Sequence, residues 1–311
     1  MVKRTNLIEK RQAKKILWTE RTALWSGLTM LEIKDILETP RSQSLRQNTL
    51  KSAKKLNYTQ IDWSVDGYEI SASQLEEIKN SKEVADGKLY VQNAASWLPV
   101  YALNPKAGEV ILDVCAAPGG KSSHIQALTR NQSKLVCNDN SKPRLIKLQT
   151  NMERLGAKAG YTLCDATRLR RLFDIESFDK ILLDAPCSGE GLMTLSNDKL
   201  FDSWSIAHIR RLSDLQKKIL TESWQVLKPG GTLVYSTCTM APEENESVVD
   251  YHLRKHSDAT LQTLDFSLIN RVPTLKSWND RRYTNDLSPC LRLLPSPLTE
   301  AFFVAKLVKS V

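Results

Sequence analysis

Val110-Ile111-Leu112-Asp113-Val114-Cys115-Ala116-Ala117-Pro118-Gly119-Gly120-Lys121 is the stretch that decides the fold. Its apolar run reads as a buried strand that delivers a carboxylate, Asp113, at its carboxyl end. Small residues follow, which let backbone approach a ligand, and the helical pattern that starts at Gly120 offers free N–H groups. The loop lacks the G-x-G-x-x-G spacing of a dinucleotide site. Gly120-Lys121-Ser122 matches the tail of a phosphate-binding loop, but Cys115 stands where that motif needs its first glycine. A nucleoside without phosphates is the ligand class that remains.

The same unit recurs downstream. Leu135-Val136-Cys137, Tyr161-Thr162-Leu163, Ile181-Leu182-Leu183 and Thr232-Leu233-Val234-Tyr235 read as further buried strands, with helical patterns around 121–129, 142–155 and 204–227. Ala301 to Val308 reads as a closing strand. Strands alternating with helices predict an α/β fold with a parallel sheet covered on both faces. The first four strands end at Asp113, Asp139, Asp165 and Asp184. In such sheets the ligand crevice lies outside the carboxyl ends of the strands. One Asp after a strand is most often a cap or turn residue. Four on one rim suit a ligand with hydroxyls, an amino group or positive charge.

Upstream, residues 7–39 carry Leu7, Ile16, Leu24, Leu28, Leu31 and Ile36 at helical spacings, and Pro40 ends the pattern. Residues 41–85 read as a small α+β unit, and Asp86-Gly87 marks a boundary. The expected organisation is a basic amino-terminal region, 1–87, and a catalytic domain, 88–311. The formal charge is +9, and residues 1–60 hold 13 Lys or Arg against 5 Asp or Glu, so nearly all the excess is amino-terminal. A localised basic footprint fits a polyanionic partner, with a solvated basic helix as the plain alternative. Arg46, Lys51, Lys54 and Lys55 are candidate contacts to an RNA backbone. Trp18, Trp25 and Trp63 are either base-stacking or core residues.

The six cysteines (115, 137, 164, 187, 238 and 290) form no C-x-x-C pair. That argues against a metal site and against a secreted disulfide framework. No apolar run approaches the roughly 18 residues of a membrane span, and no secretory signal is visible. A cytoplasmic, monomeric protein with reduced thiols is expected.

Asp113 to Lys121, Asp184-Ala185-Pro186-Cys187-Ser188-Gly189 and Ser236-Thr237-Cys238-Thr239 together resemble the Nop/Sun (NSUN, RsmB/RsmF) family of RNA cytosine-5 methyltransferases. Arg46-Gln47-Asn48-Thr49-Leu50-Lys51 and Tyr90-Val91-Gln92-Asn93 resemble that family's pre-catalytic segments. The resemblance implies a class I, Rossmann-like S-adenosylmethionine-dependent methyltransferase sheet with a small amino-terminal RNA-binding segment. It implies that Cys115, Ala116, Ala117, Pro118, Gly119, Gly120 and Lys121 wrap the methionine part of the cofactor. Asp139 is then expected on the ribose, Asp165 near the adenine amino group and Arg144 close by, although Asp165 also reads as a cap and Arg144 as an ion-pair partner.

Carbon-5 of cytosine is a poor nucleophile, so methylation there needs a cysteine thiolate added at carbon-6. Two cysteines lie after the fourth and fifth strands. Free cysteine is more often a small buried hydrophobe, and spacing does not say which of the two attacks. The resemblance assigns Cys238 as nucleophile and Cys187 to breakdown of the adduct. Asp184 is expected on the cytosine ring nitrogen and amino group, with Lys121 organising the pocket. Cys115, Cys137, Cys164 and Cys290 read as structural.

The expected substrate is a cytosine in structured RNA, ribosomal ahead of transfer RNA, since a loop base leaves its stack most cheaply. No appended RNA-binding domain is expected. Rivals are a methyltransferase on DNA or an exocyclic amine, an RNA-binding assembly factor without catalysis, and a dehydrogenase-like nucleotide binder.

Overall fold

The computed structural model describes residues 2–39, 43–51, 56–266 and 271–311, with side chains from Leu7 onward. Pro40, Lys54 and Lys55 lie outside them. The helical run expected over 7–39 is two helices, α1 (Val2–Ser26) and α2 (Met30–Glu38). Gly27 takes a left-handed φ of 72° and its N–H closes back on the Ala23 carbonyl. Thr29 and Glu32 then form a reciprocal capping box that restarts the chain as α2.

The small unit is an antiparallel sheet in the order β2-β3-β1-β4. Its strands are β1 (Gln43–Gln47), β2 (Thr59–Gln60), β3 (Gly67–Ile70) and β4 (Leu89–Val91), with α3 (Ala72–Lys79) and α4 (Lys82–Ala85) ahead of β4. β4 pairs with β1 (Leu45 opposite Val91), so the unit runs past the turn at Gly87 and the boundary read there falls inside it. At Gly67 a Cβ would sit 2.2 Å from the Trp97 ring, so only glycine lets β3 rest on the catalytic domain there.

The catalytic domain follows as α5 (Leu98–Leu103), β5 (Val110–Asp113), α6 (Gly120–Leu128), β6 (Lys134–Asp139), α7 (Lys142–Leu155), β7 (Gly160–Leu163) and β8 (Phe178–Asp184). It continues with α8 (Ile206–Val226), β9 (Leu227–Thr237), α9 (Glu246–Lys255), β10 (Ala259–Gln262), the short pair β11 (Ser277–Trp278) and β12 (Arg281–Arg282), β13 (Leu291–Leu293) and β14 (Phe302–Lys309). The main path through its sheet is β10-β14-β9-β8-β5-β6-β7, and β13 adds to β14. Strands β5 to β9 are parallel, whereas β10, β13 and β14 are antiparallel additions. The chain winds outward from β5 through β6 to β7, then crosses back to β8. That reversal puts a topological switch point at the carboxyl ends of β5 and β8. Leu112, Leu183 and Tyr235 enter one core while Ile111, Leu182 and Val234 enter the other, which is why the strand sequences are apolar throughout.

Helices α1 and α2 dock on the catalytic domain. Trp18, Ile33 and Leu37 join Met193, Phe201, Trp204, Met240 and Ala301 in one cluster. Arg11 pairs with Asp202 (2.7 Å), Lys15 with Asp198 (2.5 Å) and Arg21 with Glu243 (2.9 Å), and Lys14 donates to the Phe201 carbonyl (2.7 Å). Much of the basic surplus on α1 therefore answers acids and carbonyls of its own chain rather than an external polyanion. Trp25 lies under the Arg292 guanidinium at 4.0 Å, and Trp63 packs against Trp97 at 5.9 Å. The inward faces also differ from those expected, because Leu7, Ile16 and Leu24 of α1 and Leu31 of α2 are exposed.

Trp18 is 1% exposed and Leu24 is 74% exposed. Trp18→Ala is expected to lower unfolding free energy by about 3–5 kcal/mol in denaturant titration. Leu24→Ser should stay within about 0.5 kcal/mol of the parent. The reverse order would place the other face of α1 inward.

Candidate active site

Each parallel strand of the domain stops at the same rim. Asp113, at the end of β5, is buried and accepts from Ser122 Oγ at 2.6 Å. Burial pushes its carboxyl up to about 7, against the lowering effect of that hydrogen bond, and the nearby Asp184 adds to the rise. Asp184, at the end of β8, accepts from Lys121 Nζ and from Ser236 Oγ, both at 2.7 Å. Burial pulls the Lys121 ammonium down, but Asp184, and then Cys238 and Glu300, reverse this and leave it net raised. Its cation also sits 5.6 Å from the centre of the Phe302 ring.

The two cysteines read from the sequence meet here. Cys187 Sγ and Cys238 Sγ are 3.4 Å apart, brought together from the loops after β8 and β9. The Cys187 thiol is pushed well up by its hydrogen bond with Cys238, then by burial and by the charges of Glu244 and Asp184. Either sulfur can be the donor in this contact. All six cysteines are free; Cys137 and Cys290 are buried, and Cys115 and Cys164 are half-buried.

Beside this centre, Asp113, Cys115, Ala116, Ala117, Pro118, Gly120, Lys121 and Asp184 line a pocket of about 210 Å³. The Ala117–Pro118 peptide is cis. Tyr90, Gln92 and Ser96 close the pocket from the segment leading into α5. At Gly120 a Cβ would meet Gln92 Nε2 at 2.9 Å, so the glycine is what lets that wall approach. Gly119 holds a φ of 101° at the start of α6. The next strand end supplies Asp139, which accepts from the Ser141 N–H at 3.0 Å and pairs with Arg144 at 3.3 Å. Arg144 also donates to the Ala117 carbonyl at 3.0 Å, tying this acid to the loop. Carboxylates at a pocket with a glycine-permitted wall fit a ligand with a cationic centre, an amino group and ribose hydroxyls, as S-adenosylmethionine has.

Other expected residues stand apart from the pocket lining. Asp165 is exposed and caps a short 3₁₀ turn, accepting from Thr167 N–H and Oγ1 at 2.9 and 2.8 Å, so its carboxyl is held low. Arg46 is 0% exposed and donates to Ser123 Oγ at 2.9 Å beneath the Tyr90 ring, so it offers no surface to a phosphate. Lys51 is exposed and donates to the Asp86 carbonyl at 3.0 Å. Among the described residues no cluster of three metal-ligating side chains occurs, and no helix is long and apolar enough to cross a membrane.

Ser96 and the buried acids Glu190 and Glu244 were not singled out from sequence. Glu243-Glu244-Asn245-Glu246, directly after the Cys238 loop, reads in the sequence as an ordinary polar stretch, and only the fold shows that all four are buried and must be held by partners.

A family model described as 16S rRNA methyltransferase RsmB/F matches residues 100–308. A tRNA (cytosine(49)-C(5))-methyltransferase of Pyrococcus abyssi is 35% identical over 287 residues, covering 87% of this chain and 89% of that one. Ribosomal RNA small subunit methyltransferase F of a Shewanella species is 35% identical over 285 residues, of which this chain spans 57% of the length. A solved methyltransferase homologue from Pyrococcus horikoshii superposes with a TM-score of 0.80 at 30% identity, covering 98% of this chain and 99% of that one. The paired cysteines, the Lys121–Asp184 contact and these matches agree: the chain belongs to the RsmB/F family of S-adenosylmethionine-dependent RNA methyltransferases.

Proposed function

We propose that this chain transfers a methyl group to carbon-5 of a cytosine in structured RNA through a covalent cysteine adduct. The observation that carries the reading is the 3.4 Å approach of Cys187 and Cys238 at the rim that also holds the Lys121–Asp184 pair. A binding protein without catalysis has no need of two apposed thiols there.

The Cys238 thiolate adds to carbon-6 of the flipped cytosine and pushes an electron pair toward the ring nitrogen and carbon-5. Lys121 stabilises negative charge on that sulfur through space. Asp184, with both oxygens already oriented by Lys121 and Ser236, accepts from the cytosine amino group and from the ring nitrogen once that nitrogen takes a proton from solvent, which favours the addition. S-adenosylmethionine, when bound, would supply its methyl to carbon-5 and leave as the neutral thioether; the 115–121 loop, Asp139 with Arg144 behind it, and Asp165 would hold it. Loss of the carbon-5 proton to a base returns the electron pair, and the carbon–sulfur bond breaks. Cys187, held as a thiol, gives a hydrogen bond to the departing Cys238 sulfur and so assists release of product.

The family model favours ribosomal RNA as substrate. Transfer RNA is the second reading, because the relative this chain matches over 89% of its length acts on it. Lys51 remains a candidate backbone contact. Arg46 does not, because it is buried.

Two outcomes test the assignment. Cys187→Ala incubated with undermethylated RNA and S-adenosylmethionine should accumulate a protein–RNA adduct that survives a denaturing gel, and Cys238→Ala should form none. An adduct with Cys238→Ala alone would exchange the two roles, and sequencing the trapped RNA identifies the target. Separately, Asp184→Asn and Lys121→Ala should each lower kcat/KM by roughly 10²-fold or more in steady-state methyl transfer, the range for groups acting on charge in the transition state. A loss under fivefold would remove them from the chemistry.

A further inference from the structure

Behind the two cysteines lies a buried polar wall that the chemistry described so far does not use. Glu244 is 0% exposed and Glu190 is 3% exposed. Glu244 accepts from the Ser188 N–H at 3.0 Å, from the Ser188 hydroxyl, and from Gln216 Nε2 at 2.8 Å. Ser188 directly follows Cys187. The same serine hydroxyl meets Thr239 Oγ1 at 2.8 Å, and Thr239 directly follows Cys238. Thr239 Oγ1 also reaches Glu244 at 3.4 Å and Glu190 at 3.3 Å. Thus one carboxyl touches the residue after each cysteine, and the loops that carry both sulfurs converge on it.

The wall is closed on every other side. Gln216 of α8 bridges Glu244 to the Pro186 carbonyl at 2.9 Å, immediately before Cys187. Trp204 holds the far oxygen of Glu190 at 2.7 Å. Asn245 donates to the Thr239 carbonyl at 3.0 Å. Gly191 N–H donates to the Cys238 carbonyl at 2.9 Å, and a Cβ at Gly191 would lie 2.9 Å from that same oxygen. The charged or titratable neighbours of Glu244 are Glu190 and Cys187 from the loop after β8, Tyr235 of β9 and the adjacent Glu243, which Arg21 of α1 neutralises at 2.9 Å.

We propose that Glu244 is a positioning residue for the methyl transfer: its carboxyl joins the Cys187 and Cys238 loops through Ser188 and Thr239 and so sets the separation and facing of the two sulfurs. The inference rests on the two-cysteine chemistry proposed for this site. Three donors from two different elements converge on the carboxyl, an arrangement that an apolar side chain of similar size such as leucine cannot keep, since it offers no acceptor. Burial pushes Glu244 up to about 7, with the Ser188 and Gln216 hydrogen bonds opposing the rise and Glu190 adding to it. A carboxyl kept buried under that strain is held by a specific arrangement of partners rather than by general packing.

The experiment is steady-state and cofactor-binding analysis of Glu244→Leu, of Glu244→Gln and of Ser188→Ala. Glu244→Leu should lower kcat by roughly 10–10²-fold, as expected for misplacing a reacting group by about 1 Å. KM for RNA and the affinity for S-adenosylmethionine should change less than twofold. Glu244→Gln keeps an acceptor for the Ser188 N–H and Gln216 and a donor for the Ser188 hydroxyl, and its kcat should exceed that of Glu244→Leu by at least about fivefold. Ser188→Ala, which keeps the backbone N–H contact, should lower kcat by about fivefold with unchanged KM and serves if Glu244→Leu does not fold. Parental kcat in Glu244→Leu or Ser188→Ala, parallel loss of cofactor affinity, or Glu244→Gln no more active than Glu244→Leu would overturn the proposal. An unaltered protein that makes no 5-methylcytidine would instead defeat the function proposed for the site, and an active one with unaffected variants defeats this inference alone.

Discussion

Lys121 is the cation around which the acids of the rim are arranged. It rises from the first turn of α6, next to the glycine pair, and reaches across the switch point to Asp184 at the end of β8. Asp113 is fully buried close by; burial and Asp184 disfavour its charge, and Lys121 favours it. Carboxylates gathered at low dielectric repel one another and favour their neutral forms. A single ammonium in their midst lets Asp184 hold its place beside Ser236 while leaving Asp113 near neutrality. Cys238 lies close enough to this cation to help hold it charged. Fold and chemistry are joined at this contact, because the parallel winding that makes the switch point also makes the pair possible.

Around that contact the chain builds two walls. The small antiparallel sheet closes the cofactor side, with Tyr90 and Gln92 facing Gly120 and with Arg46 tied to Ser123 of α6. Helix α1 closes the opposite side by holding residues 195–202 and Glu243 with its basic side chains. Both amino-terminal pieces therefore shape the catalytic rim itself. RNA affinity is one role for a basic amino terminus, and internal bracing of the loops that carry the cysteines is another, which the ion pairs of α1 display directly.

The inner parallel strands β5 and β8 and their terminal acids were legible because both faces of the sheet are buried there, so each strand carries an apolar run with an abrupt polar end. Helix α7 was readable for a related reason, with Ser141 before it and Gly156 after it. The inward face of α1 was not. Its leucines and isoleucines point outward while Trp18 and Thr22 point in, and aliphatic periodicity alone selected the wrong side. Arg46 misled because a positive side chain in a basic segment reads as surface, whereas here the guanidinium is drawn into a polar cluster with Asp66 and Ser123. The capping role of Asp165 depends on the 3₁₀ turn that follows it, and its second carboxylate oxygen takes no part in the cap. Glu244 was invisible for want of a local signature, since its partners Ser188 and Gln216 are 56 and 28 residues away.

Carbon-5 methylation replaces the hydrogen at that position, which no methylation of an exocyclic amine, a ring nitrogen or a ribose hydroxyl does. The most direct measurement is therefore release of tritium to water from RNA labelled at carbon-5 of cytosine, followed alongside incorporation of methyl groups from S-adenosylmethionine. The account predicts one tritium released for each methyl incorporated. Methyl incorporation without tritium release would contradict it and move the reaction to a different atom.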